Sequence, residues 1–389
     1  MSDIKSLGFA LDPNNVPAFL LDWEVTKLCN LDCSYCGTGV DGGHDNSTKH
    51  PAVDKCLKAI DFMYQYVDMY MQYKKPSQRK VILNVYGGES LFHPDIVEIL
   101  NECRNKYHSF KNYWHLTITC TSNGIVGINQ WKRIVPLIDE FTLSYHAENL
   151  PKQKLQFRKN LLHLQKQNKR VKCVIMMHND KNFLEDLESI VKFCQDNQIR
   201  YLLKPLDNVE KKWRYSAEQF TKLKTFWIES ESINNKTNYK QIDNKIKSNQ
   251  EISSIHEGRP CCGGRKLSIN GNLKSYETFV PKQNFKDWYC SVNWFFLFVQ
   301  QLTGNIYTNK DCRTSTSGKV EPLGNLQNAQ VVLDNLKQQL DNRSMPIIKC
   351  VKDICMCGFC APKAENIENF KELFDRQLDK EKYYGNQTI

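Results

Sequence analysis

Cys29-Asn30-Leu31-Asp32-Cys33-Ser34-Tyr35-Cys36 places three cysteines at C-x3-C-x2-C spacing, directly after the apolar segment 18–25. Soft sulfur donors suit iron, and three on one short loop can hold three corners of a cubane iron–sulfur cluster. A closed four-iron site takes four protein thiolates, and the fourth is missing locally. One iron is then open to an outside ligand, so the loop reads as a reaction site rather than an electron relay. Structural zinc sites use paired C-x2-C or Cys/His sets totalling four ligands, and no His sits close enough in sequence to complete this one. A disulfide framework would leave one cysteine over.

Outward from that loop the chain alternates strand and helix patterns. Strands are predicted over 18–25, 81–86, 116–121, 141–145, 171–177 and 201–206. Helices are predicted over 52–73, from Pro94-Asp95 onward, and over 130–137, 155–167 and 184–195. The first of these carries Val53, Leu57, Ile60, Met63, Val67 and Met71 at helical spacing. Repeated strand–helix units imply a parallel sheet with covering helices, and six are too few to close an eight-fold barrel. The expected fold is therefore α/β, a partial (β/α)6 TIM-like barrel over 18–206, with its site loops after the strand C-termini.

The bulk properties set limits. A chain of 389 residues with 41 % hydrophobic and 25 % charged content is ordinary for a globular protein and long enough for two domains. Residues 1–15 lack a basic start followed by an apolar run, so no signal peptide is expected. The longest dense apolar run, 294–299, is far short of the ~20 residues of a membrane span. These features predict a soluble, cytoplasmic protein without a membrane partner. In that compartment sixteen cysteines argue for metal ligation over disulfides. The formal charge is +10, and 151–172 holds eight basic residues and no acid: Lys152, Lys154, Arg158, Lys159, Lys166, Lys169, Arg170 and Lys172. Such a surface attracts phosphates, acidic peptides or membranes. A solvated helix face is the preferred reading, since the interleaved aromatics of a stacking platform are missing.

Beyond residue 206 the character changes. Residues 208–250 are polar and rich in Lys and Asn, and read as one amphipathic helix followed by a loose connector. The second half then holds Cys261, Cys262, Cys290, Cys312, Cys350, Cys355, Cys357 and Cys360, the last four spaced C-x4-C-x-C-x2-C. A strand-like run over 294–302 and a turn at Gly304-Asn305 form an expected hairpin between Cys290 and Cys312. Cys56, Cys103, Cys120, Cys173 and Cys194 sit within helix or strand patterns and read as small core residues.

The three-cysteine loop, with Tyr35 before its last cysteine, resembles the signature of radical S-adenosylmethionine enzymes. Three further marks follow in order. Val81-Ile82-Leu83-Asn84-Val85-Tyr86 runs into Gly87-Gly88-Glu89-Ser90, similar to the family's Gly-Gly-Glu motif, with Ser90 where Pro is usual. The strand at 116–121 leads into Ser122-Asn123-Gly124, and the strand at 141–145 carries Ser144 and then His146. The resemblance implies that Cys29, Cys33 and Cys36 each hold one iron of a [4Fe–4S] cluster while S-adenosylmethionine chelates the fourth. Reductive cleavage of that cofactor would give a 5′-deoxyadenosyl radical that abstracts a hydrogen atom from the substrate. It further implies cofactor contacts from Tyr35, Gly87, Gly88, Glu89, Asn123 and Ser144: a ring flanking adenine, a close backbone approach, an acceptor for the ammonium, and ribose or carboxylate partners. His146 is a substrate contact or a structural residue.

The second half resembles the small cysteine-rich α+β extensions called SPASM or twitch domains. That likeness implies one auxiliary [4Fe–4S] cluster drawn from Cys290, Cys312, Cys350, Cys355, Cys357 and Cys360, with four-thiolate zinc as the alternative. The resulting division is an extension at 1–17, the barrel at 18–206, a connector at 207–255, the auxiliary domain at 256–365 and a terminal helix and tail at 366–389. By analogy with such enzymes the substrate is a peptide or protein side chain, and an electron donor such as flavodoxin or ferredoxin is a partner. Modification of a nucleotide or nucleic-acid base is the alternative suggested by the charge. A non-catalytic iron–sulfur protein is the third, opposed by the Gly-Gly-Glu mark.

Overall fold

The computed structural model describes residues 6–9, 18–36, 44–206, 267–269, 272–274, 285–309, 313, 319–344, 347–351, 363–375, 378–380 and 383. Strand β1 spans Ser6–Phe9 and β2 spans Phe19–Thr26, followed by helix α1 over Val53–Met71. The alternation continues through β3 (Lys80–Gly87), α2 (Ile96–Tyr107), β4 (His115–Ser122) and α3 (Ile128–Ile134). It closes with β5 (Glu140–Tyr145), α4 (Pro151–Lys166), β6 (Arg170–Met177), α5 (Leu184–Asp196) and β7 (Arg200–Pro205). Strands β2 to β7 pair in sequence order and in parallel. This is the six-unit α/β sheet expected of the alternation. The helix expected over 130–137 is shorter, because Pro136 turns its end into the 3-10 segment Val135–Leu137.

Two-residue periodicity splits the sheet into two faces. Phe19, Leu21, Trp23 and Val25 of β2, and Val81, Leu83 and Val85 of β3, are buried on the helix-covered side. There α1 contributes Cys56, Ala59, Ile60, Met63, Val67 and Tyr70, an i, i+3, i+4, i+7 stripe that follows from the sequence spacing. Each such fully buried aliphatic side chain contributes roughly 1.5–3 kcal/mol. Cys56, Cys103, Cys120, Cys173 and Cys194 are all completely buried in this core, as their positions within periodic segments suggested. The opposite face is mixed, with the stacked Tyr86, Phe298 and Tyr307 forming a small aromatic cluster beside a polar patch. Asn84 donates to Asp22 at 2.8 Å, and Thr119 donates to Asn84 at 3.2 Å, so three neighbouring strands carry one hydrogen-bonded ladder inside the curve of the sheet.

The second half does not stand apart from this sheet. Strands β8 (Leu267–Ile269), β9 (Asn272–Lys274) and β10 (Tyr289–Cys290) precede β11 (Phe296–Gln300), β12 (Asn305–Tyr307) and β13 (Gly324–Asn325). After helix α6 (Ala329–Asp341) come β14 (Ile348–Lys349), β15 (Lys363–Ala364) and helix α7 (Ile367–Asp375). β11 runs parallel to β2, and β12 and β13 extend the same sheet antiparallel, giving the order β13-β12-β11-β2-β3-β4-β5-β6-β7. The expected hairpin is present, but its first strand joins the barrel sheet. Trp23 Nε1 donates to Gln301 Oε1 across 278 residues of chain at 3.0 Å. The small second sheet, order β14-β10-β15-β1-β8-β9, in turn takes β1 from the segment read as an N-terminal extension. Both boundaries, at 17 and at 256, are thus crossed by strand pairing. The connector read over 208–250 lies outside the described residues. Among the described residues no helix is long and apolar enough to cross a membrane.

Candidate active site at the strand ends

The three-cysteine loop leaves the C-terminal end of β2, and the Gly-Gly-Glu turn leaves the adjoining end of β3. The two are stitched by backbone bonds: Gly88 N–H donates to Thr26 O at 2.8 Å and Glu89 N–H to Leu28 O at 3.0 Å. A Cβ on Gly87 would lie 2.1 Å from Thr26 O, and one on Gly88 2.3 Å from Lys27 O. No side chain tolerates such an approach to a carbonyl. The structure therefore adds a reason for the glycine pair beside the one implied by the resemblance. They let the cysteine loop lie flat against β3.

Glu89 is buried and joins three strand ends. Its Oε1 accepts from Leu91 N–H at 3.1 Å and its Oε2 from Asn123 N–H at 2.6 Å, so it pins its own turn to the end of β4. Burial outweighs these donors and pushes its carboxyl up to about 7. The Ser122 side chain is a further hydrogen-bond partner of the carboxylate, which with about four acceptor sites keeps room for one more donor. Asn123, in turn, donates from Nδ2 to Asn30 Oδ1 at 2.7 Å and approaches Cys29 Sγ at 3.9 Å. Gly124 follows with φ +69°, the left-handed turn that ends β4.

The other flank of the loop rests on β5 and β6. Cys36 N–H donates to Cys33 O at 2.9 Å, forming the turn around Ser34 and Tyr35. Glu148, just beyond β5, accepts from Ser34 N–H at 2.8 Å and also from the Ser34 hydroxyl. His178 Nε2, just beyond β6, is 3.0 Å from Glu148 Oε1. The Tyr35 ring stacks on His146 with centroids 5.8 Å apart and meets His178 edge-on at 6.0 Å. Its hydroxyl is 2.5 Å from His146 Nδ1, which also lies 3.5 Å from Cys33 Sγ. Burial pulls the His146 imidazole down to about 4. Ser144 is half-buried one inward position before His146. Of this second flank only Tyr35, Ser144 and His146 were legible in the sequence. Glu148 and His178 are polar residues immediately past strand ends, the one signal that could have drawn attention to them.

The thiols themselves are partly sheltered. Burial, then the nearby charges of Glu89 and Cys36, push Cys29 up to about 11. Burial, then Cys36 and Cys29, push Cys33 up to about 12. Each thiol is thus close enough to resist the ionisation of its neighbours, a repulsion that a bound cation would reverse. Leu31 N–H points at Cys29 Sγ at 3.4 Å, while Cys36 is exposed at the rim. Among the described residues no three His, Cys, Asp or Glu side chains converge on a single ion. A cubane asks for something different, one thiolate on each of three irons. Soft donors grouped on one loop, two of them already receiving N–H or O–H groups, fit that demand.

The second cysteine region is described in part. β10 pairs with β14 so that Cys290 faces Ile348, and Cys350 N–H donates to Trp288 O at 2.9 Å. Cys290 and Cys350 are therefore brought within a few residues of one another on one short ladder, and both are buried. Cys312, Cys355, Cys357 and Cys360, together with Cys261 and Cys262, lie outside the described residues.

The basic segment over 151–172 is largely engaged with the fold. Lys154 pairs with Asp186 at 2.9 Å, and Arg170 with Glu140 at 2.7 Å. Arg158 donates to Ser189 and covers the Phe193 ring, while Lys169 donates to Ile138 O. These contacts belong to the solvated-face reading.

No family model matches the chain, and no curated protein matches it. Several solved structures do. Native anSMEcpe with bound AdoMet is 12 % identical at a TM-score of 0.48, over 92 % of this chain and 97 % of that one. Native anSMEcpe with bound AdoMet and the Kp18Cys peptide is 13 % identical at 0.47, over 92 % and 96 %. An archaeal TYW1 is 16 % identical at 0.27, over 39 % and 50 %. At scores below 0.5 the weight stays on the chain's own strand order and loop geometry.

Proposed function

We propose that the chain is a radical S-adenosylmethionine enzyme. One observation carries the reading: the C-x3-C-x2-C loop at the end of β2 is locked against the Gly-Gly-Glu turn of β3, and Glu89 ties both to Asn123 at the end of β4. A purely structural cluster has no use for a buried acid spanning three strand ends. When bound and reduced, the cluster supplies the electron that splits S-adenosylmethionine into methionine and the adenosyl radical that takes hydrogen from a substrate. Cys29, Cys33 and Cys36 would hold three irons. Gly87, Gly88 and Glu89 would border the methionine part, where Glu89 retains acceptor capacity for an ammonium. Asn123 and Ser144 are the candidates for its hydroxyls or carboxylate. Around them the loops of β2, β3, β4 and β5 exclude water and fix orientation.

A peptide or protein side chain is the favoured substrate, on the likeness of the cysteine pattern beyond Cys290 to auxiliary-cluster extensions. The buried Cys290 and Cys350 support an auxiliary [4Fe–4S] site completed from Cys312, Cys355, Cys357 and Cys360. The ion pairs of Lys154 and Arg170 and the contacts of Arg158 and Lys169 weigh against the nucleic-acid alternative, because they occupy cations that phosphates would need. Flavodoxin or ferredoxin is the expected class of electron donor.

The test is anaerobic reconstitution with iron and sulfide, reduction, and assay of 5′-deoxyadenosine release from S-adenosylmethionine. Release is expected from the wild type and none from the Cys29→Ala/Cys33→Ala/Cys36→Ala variant, with iron persisting in the second half of the chain. Undiminished release from that variant would refute the assignment.

A further inference from the structure

Three polar atoms meet beside the middle cysteine of the loop. His146 Nδ1 is 2.5 Å from the Tyr35 hydroxyl and 3.5 Å from Cys33 Sγ. The Tyr35 hydroxyl is also a hydrogen-bond partner of that sulfur. The sulfur of a metal-bound cysteine is a thiolate, which accepts and cannot donate. The three groups are then satisfied together in one way. His146 carries its proton on Nδ1 and donates to the Tyr35 oxygen, and Tyr35 turns its own O–H toward Cys33.

Chain geometry holds this arrangement in place. Tyr35 is buried, with its ring stacked on His146 and edge-on to His178. Glu148 fixes the adjoining Ser34 from the end of β5 and is itself met by His178 from the end of β6. The hydroxyl therefore has little freedom to turn elsewhere. Cys29 receives Leu31 N–H and the Asn123 amide, whereas Cys33 has the Tyr35 hydroxyl of its own loop and His146 from the end of β5 beside it.

We infer that Tyr35, oriented by His146, donates a hydrogen bond to the Cys33 sulfur and raises the reduction potential of the cluster that Cys33 holds. The inference rests on the cluster reading above. A donor at a ligand sulfur stabilises the more negative, reduced state, and hydrogen bonds to sulfur are among the main settings of iron–sulfur potentials. Tyr35 and His146 are thus positioning residues for electron entry, in a role separate from any contact with adenine.

The experiment is a redox titration of the anaerobically reconstituted full chain, followed by electron paramagnetic resonance of the reduced cluster. Wild type is compared with Tyr35→Phe, His146→Phe and His146→Asn at equal iron content. Tyr35→Phe removes only the hydroxyl and is expected to move the potential of the Cys29–Cys33–Cys36 cluster to a more negative value. His146→Phe should do the same, and His146→Asn, whose amide nitrogen stands where Nδ1 does, should restore it toward wild type. The second region is titrated separately in the triple-cysteine variant, so its signal can be subtracted. A loaded cluster whose potential is unchanged in Tyr35→Phe overturns the inference while leaving the enzyme assignment intact. Failure of the wild type to take up a cluster at the loop overturns both. If Tyr35→Phe loses iron, its circular dichroism and the His146→Phe titration decide. A folded His146→Phe protein with a loaded cluster and a wild-type potential also overturns it.

Discussion

The two cysteine regions differ in what surrounds their sulfurs. In the loop after β2, Cys29 and Cys33 are half-sheltered, Cys36 is exposed, and the partners are polar groups from the loop itself and from the ends of β4 and β5. In the small sheet, Cys290 and Cys350 are 5 % and 7 % exposed and belong to the hydrophobic core with Phe285, Val292 and Trp294. The first arrangement leaves one side available to a small molecule. The second has no such approach at its two described thiols. An open site can host a reaction, and a buried one suits a role in structure or electron storage.

Four experiments press on that contrast. The largest effect is expected from Cys290→Ser/Cys350→Ser. Two cubanes would bring about eight irons per chain, falling to about four in this variant, while the loop cluster still reacts with S-adenosylmethionine. Iron that stays constant, or zinc found there after anaerobic purification, makes the second region a structural metal clip.

Next is Glu89, the acid behind the open loop. Its carboxyl is held near 7 in the folded metal-free chain against an ordinary value of 4.5. The folded state therefore keeps a proton that the unfolded chain releases between those values. The associated stability is fully present below pH 4.5 and is lost as the pH rises through 7, by about 3 kcal/mol in all. Urea titrations of the metal-free chain at several pH values should show this slope, and Glu89→Gln should flatten it. Parallel slopes in the two proteins would mean that Glu89 does not titrate in this window.

Gly88→Ala tests how tightly the loop is held. Its methyl would press on the carbonyls of Lys27 and Leu28, and a forced fit of this kind costs about 1–3 kcal/mol. Thermal unfolding of the metal-free chain measures the cost, with reduced iron uptake at the loop as the companion readout. An unshifted melting temperature would show that the loop and the β3 turn are not in contact in solution.

The smallest effect is a rate profile. Only the thiolate reacts with iodoacetamide, so modification of Cys29 and Cys33 in the metal-free chain should climb about tenfold per pH unit through pH 10. An ordinary thiol levels off near 8.5. Peptide mass mapping resolves the sites, and an early plateau at Cys33 would contradict its burial-raised value of about 12.

Much of the sheet could be read from the chain because strand and helix periods are local. Alternation in Phe19–Thr26 and Lys80–Gly87 declares two faces, and the stripe along Val53–Met71 declares one. The cysteine triplet and Gly-Gly-Glu were equally legible, since each is a short run whose residue types carry the chemistry. Other features were settled only in three dimensions. β11 lies beside β2, and β1 completes the small sheet, through backbone pairing between segments separated by hundreds of residues. Glu148 and His178 reach the cysteine loop because parallel register aligns the ends of β5 and β6 beside it. Spacing along the chain names the groups that can bind iron. Which donors face each sulfur depends on strand order, because the groups that meet there arrive from different turns of the sheet.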